Sequence, residues 1–118
     1  MSYIDGMVIP VTTSRREEFV KMMAEWRALL KEFGATRVVE CWGDEVPDGK
    51  VTDFKRAVQA TPDETVVFSW VEWPSKQARD AGNEKLMKDP RAQPREGSPM
   101  NLQRMIYGGF EVLADSRA

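Results

Sequence analysis

A chain of 118 residues, 42% hydrophobic and 31% charged, has the balance of an ordinary globular domain, and a net charge of −2 gives no electrostatic drive toward nucleic acid or an anionic membrane. No apolar run approaches the roughly 20 residues of a membrane helix. Histidine is absent, which removes Ser-His-Asp and Cys-His catalysis, Cys/His zinc sites and histidine-ligated haem, and leaves acid–base chemistry to carboxylates, lysine, tyrosine or the thiol. Residues 1–118 are expected to form one domain. The single Cys41 cannot form an internal disulfide, and Met1 to Gly6 carries no basic region followed by an apolar stretch. The expected compartment is therefore the cytoplasm.

Tyr3 to Val11 (YIDGMVIPV) reads as a strand, with Pro10 placing its end at an edge or exit. Ser14 stands three residues before Glu17, the spacing of a capping box. From there Phe19, Met22, Met23, Trp26, Leu29, Leu30 and Phe33 recur at intervals of three and four, one continuous face of an amphipathic helix that Gly34 ends. Ala35 to Trp42 follows as a second strand, and the stretch GDEVPDGKVTDF must be a long loop. A helical turn is expected within Lys55 to Ala60, then a third strand from Thr65 to Trp73. Ser75 stands as the N-cap of a helix reaching about Lys88, with a thin apolar face of Ala78, Ala81, Gly82, Leu86 and Met87. Residues 89–103 read as a second polar loop, and Arg104 to Leu113 as the last strand. Gly108-Gly109 lies inside that strand rather than before a helix, which fits a bulge or close backbone approach and not a phosphate loop.

The order is β-α-β twice. It predicts an α+β, ferredoxin-like βαββαβ fold: a four-stranded antiparallel sheet with two helices on one face. Both alternating sets of the third strand are largely apolar, Val66, Phe68 and Trp70 on one face and Val67, Val71 and Trp73 on the other. Helices on one face leave the second apolar face to a partner, so the fold is expected to pair into a homodimeric α/β barrel.

Several stretches are distinctive: DGMVIPV at 5–11, RVVECWGDEVPDGKVTDF at 37–54, ETVVFSWVEWPS at 64–75, DPR at 89–91 and RMIYGGF at 104–110. In these the chain resembles the YbaA-like family of small bacterial proteins, a domain of unknown function. The resemblance spans nearly the whole chain and implies the dimeric α/β-barrel superfamily. That superfamily includes cofactor-independent oxygenases, small isomerases, haem degraders and plain ligand-binding proteins. It carries over no catalytic residue.

Candidate chemistry lies in polar groups on the strands. Glu40 and Trp42 share a face of their strand, as do Trp70 and Glu72, and as do Tyr3 and Asp5; Tyr107 lies on the last strand. A carboxylate held between aromatic rings suits a general acid or base. Glu40 or Glu72 would be the base and Tyr107 a hydrogen-bond donor, with Asp5, Trp42, Trp70 and Arg104 lining a ligand site. Arg37 and Arg104 could instead pair with Glu40 or Glu72 as structural ion pairs. Asp44, Glu45, Asp48 and Asp53 do not match a calcium-loop spacing, so the acidic loop reads as solvated, with folding over the partner subunit open to it, and no metal or cofactor is called for. Cys41, with carboxylate rather than cation beside it, reads as a small buried core residue. Two readings follow. In one the dimer barrel binds a small, partly apolar organic molecule, with cofactor-independent oxygenase or isomerase chemistry open to it. In the other the protein is a non-catalytic structural or interaction protein whose strand charges hold the dimer. Neither involves nucleic acid or membrane.

Overall fold

The computed structural model, which describes residues 2–117, is an α+β fold built on one open antiparallel sheet. The chain runs β1 (Tyr3–Thr12), α1 (Arg16–Glu32), β2 (Arg37–Trp42), α2 (Phe54–Ala57), β3 (Glu64–Trp73), α3 (Lys76–Lys88) and β4 (Ile106–Glu111). The strands lie in the order β2-β3-β1-β4. The central pair is the longest: β1 and β3 run in register from Tyr3 opposite Trp73 to Thr12 opposite Glu64. Pro10 is tolerated in this central strand for a local reason. Its carbonyl faces the β4 side and accepts the Asn101 N–H, but β4 pairs with β1 only as far as Val8, so no ladder partner needs the N–H that proline lacks.

The register puts the odd-numbered residues of β1, β3 and β4 on the face that α1 and α3 cover, together with Val38, Glu40 and Trp42 of β2. Helix α1 lays Phe19, Met23, Leu29 and Leu30 into that face, as its spacing predicts, and Gly34 at φ 113° turns the chain out of it. The capping box does not form. Thr13 is tied to β3, its N–H bonded to the Asp63 carbonyl (2.9 Å) and its hydroxyl to that of Thr65 (2.7 Å). The chain therefore enters α1 through a 3-10 turn, Thr13–Arg15, and no side chain caps the helix.

Ser75 caps α3 as expected, its hydroxyl accepting the Ala78 N–H at 3.1 Å. The buried face of this helix centres on Gly82 and Leu86, while Ala81 and Met87 point to solvent. Gly82 is there because Trp73 needs the space: a Cβ at residue 82 would stand 2.5 Å from the Trp73 ring and 2.9 Å from the Phe33 carbonyl oxygen.

On the opposite face lie the even-numbered residues of β1, β3 and β4 and the odd-numbered ones of β2, and α2 sits on this side. Asp53 caps it, its carboxylate accepting the Arg56 N–H at 2.7 Å. Val58, just beyond the helix, is buried against Val8 and Val66, and Phe54 meets Phe68 edge-on at 6.0 Å. The segment leading out of the acidic loop thus covers one end of its own sheet. The rest of that face stays open, with Phe68 46% and Phe110 59% exposed. Cys41 belongs to this face, opposite Phe68, and is exposed rather than a core residue. The alternation of β2 puts Glu40 and Trp42 under α1 and so turns the thiol outward.

Gly82→Ala tests the packing of α3. The better helix propensity of alanine would add about 1 kcal/mol, but overpacking against a Trp73 that is 1% exposed costs about 1–3 kcal/mol, and the backbone oxygen of Phe33 cannot give way cheaply. A lower urea midpoint than wild type is expected; an unchanged or higher midpoint would show that α3 is free to lift from the sheet.

Candidate functional site

The residues singled out in the sequence do not converge on one point. Glu40 lies beneath α1, where Arg27 of that helix bonds its Oε1, and its Oε2 is buried without a hydrogen-bond partner. Trp42, at the end of the same strand, packs on Phe19 at 6.1 Å with the Arg16 guanidinium 5.4 Å from its ring centroid. Asp5 sits under α3, accepting the Trp73 indole N–H (3.0 Å) and Arg79 (2.9 Å), while Arg79 also covers the Tyr3 ring. This cluster fastens α3 to β1 and β3. Tyr107 is on the helix side too, beyond the reach of α3, and is 78% exposed.

Trp70 and Glu72 are brought together by a direct hydrogen bond, on the open face. The Trp70 indole N–H donates to Glu72 at 3.0 Å, Arg37 lies 3.4 Å from the same carboxylate, and Arg117 approaches it at 3.8 Å. Arg104 stands apart from both sets. Its guanidinium donates to both oxygens of Glu64 and to the carbonyls of Val58 and Gln59, locking the end of the α2 segment to the start of β3. The arginine hydrogen bonds, helped by the Thr61 N–H and opposed by burial, hold the Glu64 carboxyl below its usual range. Among the described residues no cluster of three or more carboxylate, thiol or imidazole side chains is placed to hold a metal ion.

The strongest candidate site is one that residue pairs on strands do not show. Between α1, the sheet and the segment after α3 lies a cavity of about 600 Å³. Its floor is Met7, Ile9 and Ser69, and one wall is Met22, Met23, Trp26 and Leu29 of α1. The facing wall is chain that reads as a polar loop: residues 89–103 fold back over the sheet and contribute Ala92, Pro94 and Met100, with Met105 just beyond. Two ion pairs tie this strap to α1, Arg91 to Glu32 (2.7 Å) and Arg95 to Glu25 (3.0 Å). All four side chains are largely exposed, so the ties are weak and breakable. Asp89 anchors the start of the strap, bonded to the Arg91 side chain and backbone N–H, which hold its carboxyl below the usual range. At the far end an edge bridge joins Met100 to Val11. The sequence carried one signal for this site, seven methionines in 118 residues, of which five line the cavity.

Residues 2–103 match the family described as protein of unknown function DUF1428, and the chain belongs to that family. It is 53% identical over 116 residues to the uncharacterized protein YbaA of Escherichia coli K12, a match covering 98% of this chain and 99% of that protein. The uncharacterized YbaA of Shigella flexneri matches to the same extent. No helix of the described residues is long and apolar enough to cross a membrane.

The placement of Arg104 gives a pH-dependent test. Because the folded state lowers the Glu64 pKa from 4.5, the pair stabilises fully above that value and its contribution is lost as pH falls below it. Glu64→Gln is therefore expected to lower the melting temperature at pH 7, with the gap to wild type closing as the pH is taken down through 4.5 and below. A gap that stays constant with pH would show that the ionised pair contributes nothing.

Proposed function

We propose that this protein binds a small, largely apolar organic molecule in the cavity between α1, the sheet and the 89–105 strap. The observation that carries the reading is the cavity: about 600 Å³, lined mainly by apolar side chains, with the Ser69 hydroxyl at the floor and the exposed charged residues Glu25, Glu32, Arg91 and Arg95 among the lining. Pockets for small organic ligands span roughly 300–1,000 Å³ and combine apolar walls with few polar groups. The Ser69 hydroxyl donates to the Val39 carbonyl at 2.9 Å, which leaves its oxygen free to accept from a ligand.

The binding unit in this reading is a cytoplasmic homodimer of ferredoxin-like chains. The strand order β2-β3-β1-β4, with α1 and α3 on one face, supports the fold assignment. The exposed Phe68, Ile106 and Phe110 on the opposite face support pairing through it, where a second copy would bury them. In such a barrel Glu72 and Trp70 would be enclosed. A carboxylate beside an indole there is the observation that favours a second reading, cofactor-independent oxygenase or isomerase chemistry at that pair. The purely structural alternative uses the same group, with Arg37 and Arg117 holding Glu72 for the partner.

Two measurements test the proposal. A neutral fluorescent probe, N-phenyl-1-naphthylamine, is expected to bind saturably at one site per chain, and Ala28→Trp, which fills the cavity mouth from α1, to weaken it tenfold or more. Absent saturable binding, or binding indifferent to Ala28→Trp, would overturn the cavity reading. In sedimentation equilibrium the wild type is expected as a dimer and Phe68→Asp as a monomer. A wild-type monomer would remove the barrel, and with it the enclosed Glu72.

A further inference from the structure

The cavity lining is unusual in kind as well as in polarity. Elsewhere the core is built from stiff, branched or aromatic side chains: Leu30, Val71 and Trp73 at one end of the sheet, Val8, Val58 and Val66 on the other face. Around the cavity five thioethers join Ile9, Leu29, Leu102 and Trp26 in the apolar lining. Met7 comes from the floor, Met22 and Met23 from α1, and Met100 and Met105 from the returning chain, so three separate segments each deliver methionine to one space. Beyond these and Met1 the chain has one other methionine, Met87, which is 79% exposed on α3. If apolarity were all that the cavity required, leucine or isoleucine would supply it at a lower cost in side-chain freedom. Methionine adds a polarizable sulfur that attracts the edge and face of aromatic rings at about 5 Å, and a flexible stem that lets several sulfurs find one ring. Trp26, also in the wall, offers an indole surface for stacking.

Resting on the reading of this cavity as a ligand site, we infer that its ligand class is aromatic: a neutral one- to three-ring compound, held by thioethers around its plane and by Trp26. A saturated ring system of the same size and polar group hides at least as much apolar area, so burial alone would favour it or leave the two equal. Sulfur–aromatic contacts are the term that reverses the order.

The experiment compares naphthalene-2-methanol with decahydronaphthalene-2-methanol as competitors of the bound N-phenyl-1-naphthylamine probe, on the full-length protein. The aromatic alcohol is expected to bind about tenfold more tightly, the sum of a few sulfur–ring contacts. In the double variant Met22→Leu with Met100→Leu, which keeps volume and removes two sulfurs, the ratio is expected to fall to about twofold or less. A second readout needs no variant. With 13C-methyl methionine, naphthalene-2-methanol is expected to shift cavity methyl signals by its ring current and to leave that of Met87 in place. Equal or reversed affinities, a ratio unmoved by the leucine variant, or unshifted methyls would each overturn the aromatic assignment while leaving the cavity as a binding site. Failure of the probe and of both alcohols to bind would instead remove the site itself.

Discussion

The structure turns on a mismatch between sheet and helices. The helix-side face of β1 and β3 is ten residues long in each strand, and it must be covered by two helices of 17 and 13 residues. Helix α3 is committed to one end of it. Gly82 brings the helix backbone onto the Trp73 ring, and the Asp5–Arg79–Tyr3 cluster fixes it there with charge-assisted hydrogen bonds. With α3 held at the Tyr3–Trp73 end and α1 packed on β1 and β2, where Phe19 and Met23 join Ile9, Val11 and Val67 in one core cluster, the space beside α1 above Met7 has no second helix. The chain after α3 has to roof it. A strap with little regular structure packs less closely than a helix, and the space left beneath it is the cavity.

This explains why helices and strands were legible in the sequence while the site was not. An apolar face recurring every three or four residues, as from Phe19 to Phe33, is a local pattern and reports local structure. So is the alternation of Val66 to Trp73, and the Ser75 cap. Partnership across the chain is not local. Ser14 and Glu17 have the spacing of a capping box, yet the Thr13 contacts with Asp63 and Thr65, some fifty residues away, decide how α1 begins. Sequence spacing also says that Glu40 and Trp42 share a face, and that Trp70 and Glu72 do. It does not say that the pairing of Glu40 with Ser69 puts the two sets on opposite sides of the sheet. A one-residue change of register would have reversed that.

The strap shows the same limit from the other side. Residues 89–103 contain Asp, Pro, Arg, Gln, Glu, Gly and Ser, the composition of a solvated loop, and most of them are exposed. What makes the segment a wall is a few contacts at intervals: Arg91 to Glu32, Arg95 to Glu25, and the Met100 bridge to Val11. None has a periodicity to read. Composition held the better clue, because methionine so concentrated in a short chain asks where its flexible side chains are placed together.

The two apolar surfaces of the sheet have different characters. On the open face the exposed apolar residues are Phe68, Ile106 and Phe110, on strands held by a continuous ladder, which in the proposed dimer would meet a second copy. Beneath the strap five flexible thioethers are gathered in the lining, which in the proposed reading would suit a guest that enters and leaves. The sheet between them is one layer thick. Phe68 and Ser69 are neighbours in β3, as Met7 and Val8 are in β1, and each pair points to opposite sides. Strand alternation thus sets the cavity floor and the open face on the same hydrogen-bonded frame, so the positions of the floor residues Met7, Ile9 and Ser69 are fixed by the sheet, while the strap is tied to β1 by backbone hydrogen bonds around Met100 and to α1 by exposed ion pairs at Arg91 and Arg95.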